Sequence, residues 1–208
     1  MTEADLRRQV AAERREQADM LATLTAEQWD HPTLCEGWRV REVIAHTTMP
    51  FRMSPPRFVL AMARSGGNFD RMADREARRD AARMSADELL ACLRDNLDHP
   101  WTPPGGGVRG ALSHDVIHGL DWTVGAGLDR LVPPERVAEV LAGLRPRNVR
   151  FFGAPLDGLE LRATDIDFTY GEGTSVRGLA QDLLLAICGR KLPAGRLSGD
   201  DADRFTAA

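Results

Sequence analysis

The chain has 208 residues, 43% of them hydrophobic, which suits one large domain, or a domain with a small appendage, built on its own core. A net charge of −4 and a pI near 5.8 exclude non-specific binding to nucleic acid or anionic membrane, and the Arg clusters at 7–8, 14–15 and 75–83 are interleaved with Asp or Glu. No apolar run reaches the ~20 residues of a bilayer span, and the opening MTEADLRRQV lacks the order of a secretory leader, so a cytoplasmic protein is expected.

Thr2 and Asp5, followed by Leu6, Val10, Ala11, Met20, Leu21 and Leu24, predict a long first helix with an acidic first turn, ending near Thr25. The stretch TAEQWDHPTLCEGW reads as a loop with one helical turn, and a second helix starts around Trp38 and carries His46. Pro50 stands four residues after His46, where its ring crowds that carbonyl, so a helix end or kink is expected there. Pro55-Pro56 start a further apolar segment that Gly66-Gly67 stop; the charged stretch 66–84 is then helical or mobile, with a solvating role. Ser85 with an acidic residue three positions on is a capping-box pattern, predicting a helix over 86–97 that HPWTPPGGG ends. The next helix, 108–124, has a buried ridge at Val108, Leu112, Val116, Leu120 and Val124.

On that helix His114 and His118 are one turn apart, and both imidazoles share a face with Asp121, away from the apolar ridge and beside Gly107, Gly110 and Gly125, which leave room. Packed beside the helix of His46, they could bring three nitrogen donors to one divalent metal with a coordination position vacant, as catalytic sites require. A histidine satisfied within the core is the alternative, since an HxxxH pair also arises by chance. Asp121 could orient an imidazole or act as a helix-end ion pair, and Glu42, one turn before His46, invites the same reading against that of a surface carboxylate. Cys35, Cys92 and Cys188 form no CxxC pair and read as small buried residues, Cys35 included although it could be offered as a nucleophile. Arg39 and Arg41 read as surface charges and Trp122 as core.

A short helix starts on Pro133-Pro134, and the pattern changes at Arg145-Pro146, dividing the chain into 1–145 and 146–208. In the second part LELRATDIDFTYGEG predicts two short strands, Ser175–Arg190 a helix with Leu179, Leu183 and Ile187 buried and Gly189 as its stop, and GDDADRFTAA a frayed tail. Asp165 and Asp167 lack the rest of a calcium loop.

The segment LTAEQWDHPTLCEGWRVREVIAHT resembles the N-terminal signature of the mycothiol-dependent maleylpyruvate isomerase family, within the DinB/YfiT-like metalloenzymes: Pro32-Thr33-Leu34-Cys35-x-Gly37-Trp38, Val40-Arg41-x-Val43 and Ala45-His46. HDVIHGLDW is similar to the family's second metal motif, and VRGLAQDLLLAICGRK to its C-terminal portion. The resemblance implies a mainly α protein, a DinB-like four-helix bundle over 1–145 with a short C-terminal α/β appendage over 146–208. It implies a divalent metal on His46, His114 and His118, with zinc favoured and nickel, iron or cobalt tolerated by three neutral imidazoles. Some members have a carboxylate where His114 stands. The implied chemistry is activation of a low-molecular-weight thiol, mycothiol, for isomerisation or S-transfer on a small electrophile, since a cation with neutral ligands keeps its full charge for ionising a bound thiol. A non-catalytic metal-containing binding or sensor protein of the same fold is the alternative, and a homodimer is compatible with either.

Overall fold

The computed structural model describes residues 1–207, Asn148 by its backbone alone. Helix α1 (Glu3–Leu21) begins at a capping box in which Thr2 and Asp5 exchange hydrogen bonds, and its Leu6, Val10, Ala18 and Leu21 face inward. It stops at Leu21, and a single turn, α2 (Ala26–Trp29), follows from a second capping box on Thr25 and Gln28. Helix α3 (Val40–Arg52) buries Val40, Val43 and Ile44 completely, each worth about 1.5–3 kcal/mol of transfer free energy.

The helix end expected beside His46 does not occur: α3 continues through Pro50 to Arg52. Pro50 sits in the last turn, where few backbone bonds remain to be lost. After α4 (Pro55–Arg64), α5 (Phe69–Ala81) is capped by Asn68 and lies against α3. The solvating role expected of this charged stretch is therefore corrected. Met72, Ala73, Ala77 and Ala81 form an i, i+4 stripe against α3, and the buried carboxylates of Glu76 and Asp80 are matched by Arg52, Arg57 and Arg79.

Helix α6 (Ala86–Arg94) starts on the Ser85–Glu88 capping box, and α7 (Gly107–Gly125) carries the expected ridge, with Leu112, Val116 and Leu120 fully buried. Around the centre, α1 packs on α6 and α7, and α3 packs on the same two, closing a ring of four helices. Helices α8 (Pro134–Ala142) and α9 (Pro146–Phe152) lead to the C-terminal sheet; the sequence pattern does not foretell α9. Strand β1 (Leu159–Ala163) pairs antiparallel with β2 (Thr169–Gly171) and parallel with β3 (Thr174–Gly178), which pairs antiparallel with β4 (Leu197–Ser198).

The helix expected from Ser175 begins only at Ala180 as α10, its first N–H capped by Asp165 at 2.8 Å, and the residues before it form β3 instead. Val176 between exposed Thr174 and Arg177 is a short alternating pattern that β1 completes by pairing. Helix α10 (Ala180–Ile187) buries Leu183 and Ile187 and stops at Gly189, whose φ of 76° favours glycine. The tail is not frayed. Residues 202–205 form a 3₁₀ turn that buries Phe205, and Ala207 N–H donates to the Leu192 carbonyl at 2.8 Å. One hydrophobic cluster runs from Val10 through Leu112 and Val140 to Leu161 and Leu184, so the sheet and α10 share the core of α1, α7 and α8. No helix among the described residues is long and apolar enough to cross a membrane.

Candidate metal centre

The ring brings the imidazole of His46 from α3 against those of His114 and His118 from α7. Ring centroids are 5.2 Å apart for His46 and His114, 4.9 Å for His46 and His118, and 4.9 Å for the α7 pair. One ring nitrogen of each lies within 4.8 Å of those of the others, and the Nε2 atoms of His46 and His114 are 3.3 Å apart. Two nitrogens each about 2.0–2.1 Å from one tetrahedral ion stand roughly that far from each other.

The outward nitrogens of the α7 pair are held by carboxylates. His114 Nδ1 is 3.0 Å from Asp115 Oδ1, and His118 Nδ1 is 3.0 Å from Asp121 Oδ2. Both carboxylates are buried and matched in turn: Arg14 Nε donates to Asp115 at 2.7 Å, and Arg190 donates to both oxygens of Asp121 at 2.7 and 2.9 Å. Burial alone would push the Asp121 carboxyl up, but Arg190, with the neighbouring His118, holds it well below the usual carboxylate range. A carboxylate beside Nδ1 favours the Nδ1–H tautomer of each α7 imidazole, with the Nε2 lone pair turned inward.

His46 has a different environment. Burial, then repulsion by the other two rings, depresses its basicity, and its Nδ1 has no hydrogen-bond partner among the described residues. An imidazolium here would lack an acceptor, so the ring stays neutral with a lone pair free for coordination. His118 is likewise pushed down by burial. Three imidazoles, two braced by carboxylates, fit a divalent cation of the zinc type.

Of the other residues singled out from sequence, Asp121 braces His118, whereas the buried Glu42 carboxylate is taken up by the backbone N–H and guanidinium of its helix-cap neighbour Arg39. Arg39 and Arg41 both pair with Asp30 and tie the entry of α3 to the preceding loop. Trp122 is fully buried, with Nε1 donating to Gln17. Cys35 arrives from the 32–38 loop, which docks on α7 through Leu34 N–H to the Asp121 carbonyl at 3.0 Å. Its thiol donates to Asp121 Oδ2 at 3.0 Å, and burial, then the Asp121 charge, raise its pKa far above the ordinary thiol value. It is therefore a thiol, not a thiolate.

Open space faces Gly107 as expected, where nothing lies within 4 Å of an added Cβ, but not Gly110 or Gly125. A Cβ on Gly125 would meet Thr33 Cα at 2.6 Å, and one on Gly110 would meet Pro103 at 2.9 Å, so they admit neighbouring chain instead. Space lies on either side of the cluster. One cavity of about 510 Å³ is bounded by His46, His114 and His118 together with α4, and a second of about 510 Å³ reaches His114 and His118 from the side of Arg109, Arg147 and Arg190. Arg14, Asp115 and Arg190 are the three supporting residues that sequence reasoning misses. Asp115 adjoins His114 and carries a local signal, but Arg190 is 69 residues from the Asp121 it clamps, and no spacing rule reaches that far.

Fold and site together define a mainly α protein with a convergent three-histidine, carboxylate-braced cluster. Residues 10–100 match the family described as Mycothiol maleylpyruvate isomerase N-terminal domain. Two solved structures, one of the mycothiol-dependent maleylpyruvate isomerase and one of a histidine-to-alanine mutant of that enzyme, superpose with TM-scores of 0.56 and 0.60 respectively. Each has 13% identity and covers 97% of this chain and 94% of that chain, so the likeness is one of fold. No curated protein matches.

Proposed function

We propose that the chain is a metal-dependent enzyme that activates a low-molecular-weight thiol, mycothiol, for isomerisation or S-transfer on a small electrophile. The observation that carries this reading is the convergence of three imidazoles beside two cavities, one for each reactant. His46, His114 and His118 would hold the metal, zinc by preference, with nickel, iron and cobalt compatible with the same donors. A divalent cation bound there supplies the positive charge that makes a thiol ionise near neutral pH.

The chain's own groups do the rest. Asp115 and Asp121 hold the α7 imidazoles with their Nε2 atoms inward, and Arg14 and Arg190 pair with those carboxylates. Residues 1–145 supply the imidazoles in this reading, and residues 146–208 supply Arg190, which makes the second part a brace for the first. The DinB-like bundle is the ring of α1, α3, α6 and α7. A cytoplasmic setting suits it, because the chain's three cysteines are free and a thiol cofactor must stay reduced. The solved relatives are named for maleylpyruvate, but at 13% identity that substrate does not transfer.

The reading is tested by loading the purified protein with zinc, adding mycothiol and a panel of electrophiles, and following thiol loss. Loss that stops on chelation is the expected result; tight metal without any thiol chemistry would make this a binding or sensor protein instead. Asp121→Asn should weaken metal about 10–100-fold in a competition titration, the usual cost of losing such a brace, and unchanged affinity would contradict its role on His118. Cys35→Ser should leave turnover within about twofold, because the Cys35 thiol is un-ionised; a loss of roughly a hundredfold would make it a nucleophile.

A further inference from the structure

We propose that the cavity on the α4 side of the imidazoles seats an uncharged apolar or aromatic group, so that the electrophile used here is hydrophobic and not a small carboxylate. This rests on the proposed thiol chemistry for the word electrophile, while the binding site itself stands on geometry. The inner end of the cavity is His46, His114 and His118, and its walls are Met49, Met53, Phe58, Val59, Phe69 and Trp101. Among the described residues that line it there is no Asp, Glu, Lys or Arg.

A carboxylate seated against these walls would lose hydration with no Lys or Arg among them to pair with it. The cavity on the other side carries Arg109, Arg147 and Arg190, so an anionic or strongly polar reactant is drawn there. Pro103 and Pro104 border both cavities together with His114 and His118, so reactants of opposite polarity can approach the same imidazoles from separate sides. Helix α4 itself buries only Ala61, while Val59 is 66% exposed and Phe69, at the start of α5, 49% exposed. This is apolar surface the fold leaves uncovered at a concave site. Two methionines in the wall give it adaptable shape, and about 510 Å³ lies in the range of small-molecule pockets.

The test uses the whole chain freed of metal by chelation and titrated with the neutral fluorophore N-phenyl-1-naphthylamine. Saturable binding is expected, with Met53→Glu and Val59→Glu each weakening it about tenfold or more and Arg147→Ala changing it by less than about twofold. Maleate should not displace the probe. Val59 is exposed enough that its replacement leaves the fold alone, which keeps the result readable if Met53→Glu is unstable. Absence of saturable binding, indifference to both glutamate variants, or displacement by maleate would overturn the proposal. Because neither metal nor thiol takes part in this titration, saturable probe binding by a chain that fails to take up zinc in a separate titration would refute only the metal reading. Thiol turnover by a chain that ignores the probe would refute only this one.

Discussion

Replacing His46 with alanine should reduce bound metal from about one equivalent to a trace after dialysis, with helical circular dichroism unchanged. Apparent binding energies of about 10–16 kcal/mol for four-ligand zinc sites assign about 3 kcal/mol to each ligand. Removing one of three therefore weakens the site by about a hundredfold. His118→Ala should do the same, because its Nδ1 is already committed to Asp121 and only Nε2 remains to coordinate. Helicity survives in both, since the imidazoles contribute little to the packing held by Val40, Val43 and Ile44 on α3 and by Leu112 and Leu120 on α7. Unchanged metal occupancy in both variants would remove these residues from any metal site.

Glu13→Ala should be the most destabilising single change outside the cluster. Glu13 is fully buried on α1, and its carboxylate accepts from Arg130 and Arg136 at 2.6 Å each and from Gln17 at 2.7 Å. Both guanidinium groups are themselves buried, so deleting the carboxylate strands charge in the interior, at a cost of about 3–5 kcal/mol. In a chain of this size that lowers Tm by roughly 10 °C or more, readable by calorimetry. A shift of less than about 2 °C would show that Glu16, which also reaches both arginines, replaces it. The network matters for the site because Gly119 of α7 lies directly over it: a Cβ there would meet Arg130 Nη1 and Gln17 Nε2 at 2.6 Å. The histidine face of α7 is held at its height by this contact.

The parts of this arrangement that the sequence makes legible are those set by local rules. The capping boxes at Thr2, Thr25 and Ser85 arise from residues three apart, and the ridge from Val108 to Val124 follows the helical repeat. The facing of His114 and His118 likewise needs only one helical turn. What escapes depends on partners remote in the chain. Thr174–Gly178 becomes a strand because β1 offers a parallel edge, the Phe205 tail is ordered because the core offers a pocket, and α5 is buried because α3 supplies Arg52 for Asp80. Pro50 breaks a local rule without ending α3 because it falls in the last turn of the helix, which closes two residues later at Arg52.

X-ray absorption of the zinc-loaded protein tests the convergence of the imidazoles most directly. Three nitrogen neighbours at about 2.0–2.1 Å with imidazole multiple scattering, and no zinc signal above background in dialysed His46→Ala, is the expected result. A first shell dominated by sulfur or carboxylate oxygen, or one unchanged by that substitution, would contradict it.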